Sequence, residues 1–323
     1  MLKICGWISV AAGAAIAQYA YAQSREYPSR PVRIVIPTSP GGILDVVTRL
    51  MAPKMSELMG QSLVVDNRPG ASTNIGSELV ARAPGDGYTL LANSQPLVVN
   101  PSVFSKMAFD AEKDLAPVAL LTAAPYVLVV HPSVPVKSVK ELLSLARAKP
   151  NALNYASGGT GTNFHIAMEL FKNLSGVKLT HVPYRGGGVA LTSVLAGETE
   201  ITIPSVAAAL PQIKAGRLRA LAISSARRSA LLPHAPTIAE AGVPGYEFRA
   251  WVGVLAPGTT PAPLVNAING YWVKAARAPE VASRLLNDGN EVVAGTPAEF
   301  AALIKAELPR WNKVIRDSGI KPE

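Results

Sequence analysis

Three times in this chain, a strand-like run breaks into a glycine-rich loop and continues as a helix-like run. The strand-like runs are 32–37, 153–156 and 179–184, and the loops after them are Thr38–Asp45, Ser157–Asn163 and Arg185–Gly188. A loop of this kind presents backbone N–H groups beside a helix N-terminus, a geometry that binds anions. No catalytic set of residues accompanies the loops, so the pattern predicts a protein that holds an anion rather than transforms it.

Strand-like and helix-like runs alternate along the whole chain, which predicts an α/β fold. The predicted strands are 32–37, 62–66, 88–92, 126–131, 153–156, 179–182, 200–203, 219–223 and 251–255. Capping motifs predict helices over 139–149, 237–242, 261–276 and 297–308. Segments 122–126 and 224–236 are candidate crossings between lobes. They predict a discontinuous first lobe, residues 23–124 and 228–323, and a second lobe over residues 125–227.

The N-terminus is typical of a secretory signal peptide. A short basic start containing Lys3 precedes an apolar run over 4–17 that is too short to span a bilayer comfortably, and Ala20-Tyr21-Ala22 fits a cleavage site. We therefore expect residues 1–22 to be removed after Ala22 and the mature protein to be exported. The only cysteine, Cys5, leaves with the signal, and a chain of this length needs no disulfides to bury a core.

The chain carries a formal net charge of +9, which raises the local concentration of anionic small molecules. Nucleic acid is not the expected partner, because no run of Lys and Arg exceeds two residues and aromatic residues are only 6% of the chain. Metal-ligand spacings, a Gly-x-Ser-x-Gly elbow and a Gly-Lys-Ser/Thr element are all missing from the sequence, so we expect no metal, no cofactor and no enzyme activity.

The first two loops differ in what their side chains add. In the first, glycines permit close backbone approach, and Asp45 is interpreted as a helix cap or an inter-lobe acceptor for an amine or hydroxyl of the ligand. The second adds hydroxyl and amide groups that suit a carboxylate or its bridging waters. His165, just after it, is predicted to be packed or capping, because no acid lies nearby to orient it.

Other candidate contacts follow strand ends. Arg185 in the third loop could pair with a ligand carboxylate or with a structural acid across the lobe. Ser94-Gln95 and Ser205 each follow the carboxyl end of a predicted strand, which is where open α/β sheets bind ligands.

In their order, several further segments resemble one known family, the Bug or TctC extracytoplasmic solute receptors of tripartite tricarboxylate transporters. The matching segments are Tyr27–Pro31, Pro40-Gly41-Gly42-x-x-Asp45 with Arg49, Val65–Ala71, Asp86–Leu90, Asn100-Pro101-Ser102, Tyr155–Gly161, Val182–Gly186, Pro244-Gly245-Tyr246 and Trp251-x-Gly253. The resemblance covers nearly all of the chain after the signal.

The resemblance implies a type II periplasmic-binding-protein fold, in which two α/β lobes close on a ligand in the cleft between them. Members of the family bind carboxylated solutes through loop backbone groups, hydroxyls and ordered waters, often without an arginine clamp. By position, the predicted ligand-binding residues are Thr38, Ser39, Gly41, Gly42, Asp45, Ser94, Gln95, Ser157, Gly159, Gly161, Thr162, Arg185 and Ser205.

The function that follows is capture of a small carboxylate-bearing molecule by hinge closure and delivery to the membrane subunits of a tripartite transporter. A monomer is expected. One departure concerns the ligand: relatives often carry His-Ala just before Asn-Pro-Ser, whereas this chain has Pro96–Val99, which weakly favours a more hydrophobic acid. A periplasmic ligand sensor and an exported enzyme acting on an organic acid remain the alternatives.

Overall fold

The computed structural model of the protein describes residues 27–320. The predicted signal peptide and its cleavage site lie outside the described residues. The strands are β1 (Val32–Ile36), β2 (Leu63–Asn67), β3 (Thr89–Asn93), β4 (Leu115–Pro125), β5 (Val127–Val130), β6 (Asn154–Ser157), β7 (Thr180–Pro183), β8 (Ile201–Thr202), β9 (Arg219–Ile223), β10 (Arg249–Pro257) and β11 (Glu291–Gly295).

The helices alternate with these strands, as the α/β prediction required. They are α1 (Ile43–Met59), α2 (Asn74–Ala81), α3 (Pro96–Val103), α4 (Val139–Ala148), α5 (Asn163–Ser175), α6 (Gly187–Leu195), α7 (Val206–Lys214), α8 (Ala262–Arg277), α9 (Pro279–Asn287) and α10 (Pro297–Asp317), with one turn of 3₁₀ helix over Ala71–Thr73. Across residues 27–320, none of these helices is long and apolar enough to cross a membrane.

The strands form two mixed sheets. The first has the order β11-β4-β10-β3-β1-β2, and the second has the order β7-β6-β8-β5-β9. In the first sheet β2 and β3 flank β1 in parallel, and in the second β7 and β8 flank β6 in parallel. The α/β class is therefore confirmed, with one sheet at the centre of each of two lobes.

Helices cover both faces of the first sheet, because its central strands are apolar on both sides. Ile34 and Ile36 of β1 pack into one buried cluster with Met51 and Met55 of α1. Val35, pointing the opposite way, packs into a second cluster that includes Val80 of α2 and Val98 of α3. The loops after β1, β2 and β3 are thereby held between packed layers.

The chain passes between the lobes twice. One crossing is Tyr126, between β4 and β5, and the other is the segment between β9 and β10. Ser224 joins them, because its hydroxyl accepts from Tyr126 N–H (2.7 Å) and donates to the carbonyl of Phe248 (2.6 Å). The two crossings therefore lie side by side and are hydrogen-bonded to each other.

Several element predictions were wrong or incomplete. β4 and β11 were not predicted, and both lie at one side of the first sheet. The segment predicted as a helix over 237–242 forms a hydrogen-bonded turn instead, and this turn ends at Gly242, whose φ is +117°. The last helix continues through Pro309 to Asp317, because burial of Trp311 and Ile315 outweighs the roughly 3 kcal/mol that an interior proline costs.

Candidate functional site

The first loop joins β1 to α1 and is fastened by the carboxylate of Asp45. Gly41, with a φ of +85°, donates its N–H to Asp45 Oδ2 at 3.0 Å. Arg49 Nε (2.8 Å) and Asn67 Nδ2 (3.0 Å) donate to Asp45 Oδ1. Burial alone would raise the pKa of Asp45, but these hydrogen bonds outweigh it and lower the pKa. Asp45 is a first-turn cap, and both of its oxygens are occupied by the protein.

The loop after β2 reaches the first loop and then turns sharply. Asn67 Nδ2 also donates to the carbonyl of Thr38 at 3.1 Å, which ties the two loops together. Ala71, Ser72 and Thr73 then follow with φ values of +44°, +49° and +82°. Three consecutive non-glycine residues in the left-handed region store about 1–2 kcal/mol of strain each, and such strain concentrates at functional sites.

A group of buried polar atoms lies beside these loops without a hydrogen-bond partner among residues 27–320. They are Thr38 Oγ1, Ser72 Oγ, Thr73 Oγ1, Asn100 Oδ1 and Asn163 Oδ1. An unpartnered buried polar group costs about 1–3 kcal/mol, so a group of them indicates a place that a ligand or ordered water completes. Each follows the carboxyl end of a parallel strand, where the sequence predicted the site.

The second loop, between β6 and α5, is fastened from within. Gly161, with a φ of +75°, donates its N–H to His165 Nδ1 at 3.1 Å. Thr162 Oγ1 donates to the carbonyl of Gly159 (2.7 Å), and Gly159 N–H donates to Ser157 Oγ (3.1 Å). The loop is preorganised, and several of its polar groups are satisfied by the loop itself.

The two lobes meet at Gly161. A β-carbon at that position would lie 3.3 Å from Asn100 Oδ1 and 3.4 Å from Ser72 Oγ, both in the first lobe. Two of the unpartnered atoms of the first lobe, Asn100 Oδ1 and Ser72 Oγ, therefore face the second loop directly. This contact defines the cleft between the lobes.

Beneath the second loop lies a buried stack of three rings. The ring of His165 stacks on that of His181 with centroids 4.2 Å apart, and His181 stacks on Tyr155 at 4.9 Å. His181 Nε2 lies 2.6 Å from Ser157 Oγ. Burial lowers the pKa of His165 to about 3 and that of His181 to about 4. Both rings are therefore neutral at pH 7, and His165 can accept from Gly161.

His165 is packed and capping, as expected, but the premise that no acid lies nearby was wrong. Glu169, one helical turn further along α5, has its Oε1 3.9 Å from His165 Nε2. Burial would raise the pKa of Glu169, but hydrogen bonds from Lys172 Nζ (2.6 Å) and the hydroxyl of Tyr155 lower it overall. The acid was missed because the prediction considered the loop and not the next turn of the helix.

Gln95 is placed differently from the prediction. Its side chain is fully buried; its Nε2 donates to the carbonyl of Arg249, and its Oε1 accepts from Trp251 N–H at 3.1 Å. Both groups belong to β10, so Gln95 fastens the loop after β3 to the start of the neighbouring strand in the first sheet. Its neighbour Ser94 is also buried, with its N–H bonded to Asn93 Oδ1.

The other predicted residues differ in their exposure and in their hydrogen bonds. Ser205 is the N-cap of α7, and its hydroxyl accepts from Ala208 N–H. Arg185 is exposed and forms no ion pair within the described part of the chain. Ser39, Gly41 and Gly42 are exposed at the tip of the first loop.

Three residues of this candidate site, Ser72, Thr73 and Asn100, were not among the predicted ligand-binding residues, whereas the amide of Asn163 was already expected to suit a carboxylate. Asn100 belongs to a segment that carried the family resemblance, but the sequence pattern did not indicate which residues Asn100 contacts. The left-handed turn at Ala71–Thr73 contains no glycine, so only Gly70 before it marks the place. Within residues 27–320, no group of three or more His, Cys, Asp or Glu side chains could hold a metal ion.

Comparison with known proteins identifies a family and several relatives that are similar to this chain. The model of the family described as "Tripartite tricarboxylate transporter family receptor" matches residues 47–320. A protein encoded in the tcbD–tcbE intergenic region of Pseudomonas sp. (strain P51) is 42% identical over 290 residues, which are 90% of this chain and 86% of that protein.

Two solved structures are similar over nearly the whole chain. Rpa4515 of R. palustris with adipate has a TM-score of 0.85 and 38% identity, covering 92% of this chain and 100% of its own. MatC of Rhodopseudomonas palustris with bound malate has a TM-score of 0.81 and 32% identity, covering 90% of this chain and 100% of its own. These matches confirm the predicted two-lobed fold.

Proposed function

Because the chain belongs to the family of tripartite tricarboxylate transporter receptors, we propose that it captures a small carboxylate-bearing solute in the cleft between its lobes. It then delivers the solute to the membrane subunits of such a transporter. The protein acts in the periplasm after cleavage of the signal peptide behind Ala22, and it acts as a binding protein without catalysis.

One observation carries this proposal: two of the buried polar atoms without partners, Ser72 Oγ and Asn100 Oδ1, lie where Gly161 of the second lobe meets the first lobe. Thr38, Ser72 and Thr73 contribute hydroxyls, which can donate hydrogen bonds to a carboxylate. The first turns of α1 and α5 add backbone N–H groups without intrahelical acceptors. A bound anion satisfies donors of both kinds.

The relatives give the class of solute. One similar structure contains adipate and another contains malate, so both relatives hold dicarboxylates. In this chain neutral dipoles hold the carboxylate, since Arg185 is exposed and Asp45 already binds Arg49. We keep Thr38, Ser39, Gly42, Ser157, Gly159 and Thr162 as proposed contacts, and leave out Gln95 because its amide is bonded to β10.

Hinge closure follows from the arrangement of the lobes. We propose that the lobes comprise residues 23–124 with 228–323 and residues 125–227, and that they turn about the paired crossings at Tyr126 and Ser224. Asp45 and His165 hold the first and second loops in shape before the ligand arrives. Preorganised loops lower the entropy cost of binding.

Thermal unfolding of the purified protein with adipate, malate and a panel of other carboxylates tests the proposal. A ligand at about 100 times its Kd stabilises the protein by about 2.7 kcal/mol and raises its Tm by several degrees. In Thr38→Val the Kd should rise about 10- to 100-fold, because one hydrogen bond to a charged group is lost.

Thr260→Val is the matched control. It also removes a buried, unpartnered threonine hydroxyl, but at the turn that follows β10, away from the cleft. The ligand-induced rise in Tm of Thr260→Val should equal that of the unaltered protein. If no carboxylate shifts the Tm, and mass spectrometry of the denatured protein finds no co-purified acid, the proposal is wrong.

A further inference from the structure

The positive charge of the protein is concentrated in its second lobe. Residues 125–227, which contain the second sheet, include eleven Lys and Arg residues against four Asp and Glu residues. The other described residues, 27–124 and 228–320, include seventeen against sixteen. The formal excess of positive charge is therefore seven in the second lobe and one in the first, although the first lobe is the longer.

The two lobes also differ in how their cations are paired. Eleven of the seventeen cations in the first lobe form an ion pair, for example Arg33 with Asp66. Of the eleven in the second lobe, Lys172 alone does so within residues 27–320, and its partner is Glu169. Because the protein does not compensate this charge, its field acts on whatever approaches the second lobe.

Many of the unpaired cations lie at one end of the second sheet, which we call the outer end. There β6, β7, β8 and β9 begin and β5 ends. The loops of the cleft follow the opposite ends of β6 and β7. Six exposed cations lie in the segments that enter or leave the outer end, and they are Lys137, Arg147, Lys149, Lys178, Lys214 and Arg217. The outer end is thus a basic surface on the far side of the sheet from the cleft.

Hydrogen bonds bring several of these segments together. Arg147, in the last turn of α4, donates to the carbonyl of Ser175 at the end of α5 (3.3 Å). Asn151, in the turn before β6, donates its N–H to the carbonyl of Lys178 (3.1 Å). Leu174, beside Ser175, is 44% exposed. The outer end therefore combines clustered cations with one exposed apolar side chain.

Acidic side chains do little to neutralise the outer end. Glu200 is half-buried and accepts from the backbone N–H (2.8 Å) and the Nδ2 (3.0 Å) of Asn154. Glu141 accepts from the backbone N–H of Lys137 at the start of α4 (2.7 Å). Glu198 is the remaining acid in these segments. The outer end therefore keeps a large excess of positive charge.

A lipid surface fits this composition better than a protein surface does. Four of the six cations are lysines, and the segments that contain them have no Phe, Tyr or Trp. Protein interfaces are enriched in aromatic residues and Arg and are depleted in Lys. Anionic headgroups attract every Lys or Arg that lies near the bilayer, and an exposed apolar side chain beside the cations adds to such binding.

We propose that the outer end of the second lobe binds the anionic headgroups of a phospholipid bilayer. Binding at this end leaves the cleft free, because the cleft lies at the opposite end of the same sheet. It concentrates the protein at a membrane surface whatever solute the cleft holds.

Sedimentation of the purified protein with vesicles tests the proposal. Vesicles of phosphatidylcholine mixed with phosphatidylglycerol are compared with vesicles of phosphatidylcholine alone, at low and at high salt. We expect binding to the anionic vesicles only, and salt should weaken it, because exposed charges are screened beyond about 10 Å at roughly 0.1 M salt. Failure to bind anionic vesicles at low salt, or equal binding to both kinds of vesicle, overturns the proposal. No carboxylate solute is added, so the result is separate from that of the proposed function.

Two triple variants assign the binding to the outer end. One replaces three of its lysines (Lys149→Gln, Lys178→Gln and Lys214→Gln), and the control replaces three exposed lysines of the first lobe (Lys106→Gln, Lys274→Gln and Lys305→Gln). None of the six lysines forms an ion pair within residues 27–320, and both variants lose the same net charge.

The apparent Kd for anionic vesicles should rise about 100-fold in the outer-end variant, since each cation near the surface strengthens binding roughly fivefold. The control variant should bind nearly as tightly as the unaltered protein. Equal losses in the two variants would show that net charge alone drives the binding, and would contradict the assignment to the outer end. Thermal unfolding of both variants checks that each is folded.

Discussion

At the scale of single residues, two side chains prepare the cleft before any ligand binds. Asp45 accepts a hydrogen bond from the N–H of Gly41 in the first lobe, and His165 accepts one from the N–H of Gly161 in the second. Each fixes a glycine with a positive φ at the start of a loop–helix junction. The acceptors differ in chemistry, however, because a carboxylate accepts at pH 7 in any case whereas an imidazole Nδ1 accepts only while it is unprotonated.

This difference predicts a pH dependence of stability. Burial lowers the pKa of His165 to about 3, whereas a histidine in the unfolded chain has a pKa of about 6.5. The unfolded state therefore binds the extra proton as the pH falls from about 6.5. The free energy of unfolding should fall by about 1.4 kcal/mol per pH unit from this residue, and partly exposed His181 should add less. Urea unfolding at pH 7, 6 and 5 measures the slope.

His165→Asn is the matched variant, because Asn Oδ1 can accept from Gly161 without titrating. The free energy of unfolding of this variant should depend less steeply on pH than that of the unaltered protein. The difference corresponds to the uptake of about one proton on unfolding, or about 1.4 kcal/mol per pH unit. Contributions from titrating groups that do not contact His165, including Glu307, cancel in the difference between the two proteins. Equal slopes would show that His165 is not held neutral.

What the sequence could predict at this scale depended on how local the contact is. Asp45 capping its own loop and His165 capping Gly161 both act over four residues, and both were among the interpretations that the sequence offered. The position of Asn100 depends on Ser72 and on Gly161 of the other lobe. No periodicity or spacing brings residues so far apart in the chain together, so its unpartnered oxygen was not predictable.

At the scale of elements, the first sheet was predicted less completely than the loops it carries. β1, β2 and β3 are short apolar runs that end in turn residues, and all three were predicted. β4 was missed because Pro117 interrupts its pattern, although β10 and β11 pair on either side of it. β11 lies at the edge of the sheet with exposed alternate residues, so its sequence lacks the apolar run of a central strand.

Replacing either of two glycines by alanine should change the stability of the protein, but in opposite directions. A β-carbon at Gly253 of β10 would lie 2.3 Å from Phe300 Cζ of α10, whereas one at Gly270 of α8 meets nothing within 4 Å. Gly253→Ala should destabilise the protein by about 1–3 kcal/mol through overpacking. Gly270→Ala should stabilise it by about 0.5–1 kcal/mol, because alanine loses less entropy in a helix. Urea unfolding compares both, and a neutral Gly253→Ala would mean that α10 is not fixed on this sheet.

At the scale of the whole molecule, one core continues through the hinge. A single buried cluster includes Val35 of the first sheet, Tyr126 of the crossing and Phe171 of the second lobe. The C-terminal helix α10 also reaches the second lobe, where Asn173 Nδ2 donates to the carbonyl of Val314 at 2.9 Å. The lobes are joined on one side by this core and meet on the other at Gly161, so relative motion of the lobes should be seen mainly at the cleft.

Replacing Gly161 by leucine should therefore hold the lobes apart. The new side chain would meet Asn100, Ser72 and Val103 of the first lobe. Gly176, at the C-terminal end of α5, has almost the same φ, +70° against +75°, but a β-carbon there meets nothing within 4 Å. Gly176→Leu thus reproduces the backbone strain of about 1–2 kcal/mol without the contact between lobes.

Small-angle X-ray scattering of the ligand-free proteins separates the two effects. We expect a larger radius of gyration for Gly161→Leu than for Gly176→Leu, which should match the unaltered protein. Titration with the tightest-binding carboxylate should also show a Kd at least about tenfold higher in Gly161→Leu alone, since closure now has to overcome an overpacked contact. Equal radii and equal Kd values in the two variants would mean that Gly161 is not where the lobes close. Both variants carry the same backbone strain, and only Gly161→Leu adds a side chain that contacts the first lobe. A difference between the two variants therefore indicates that the lobes are held apart at the cleft.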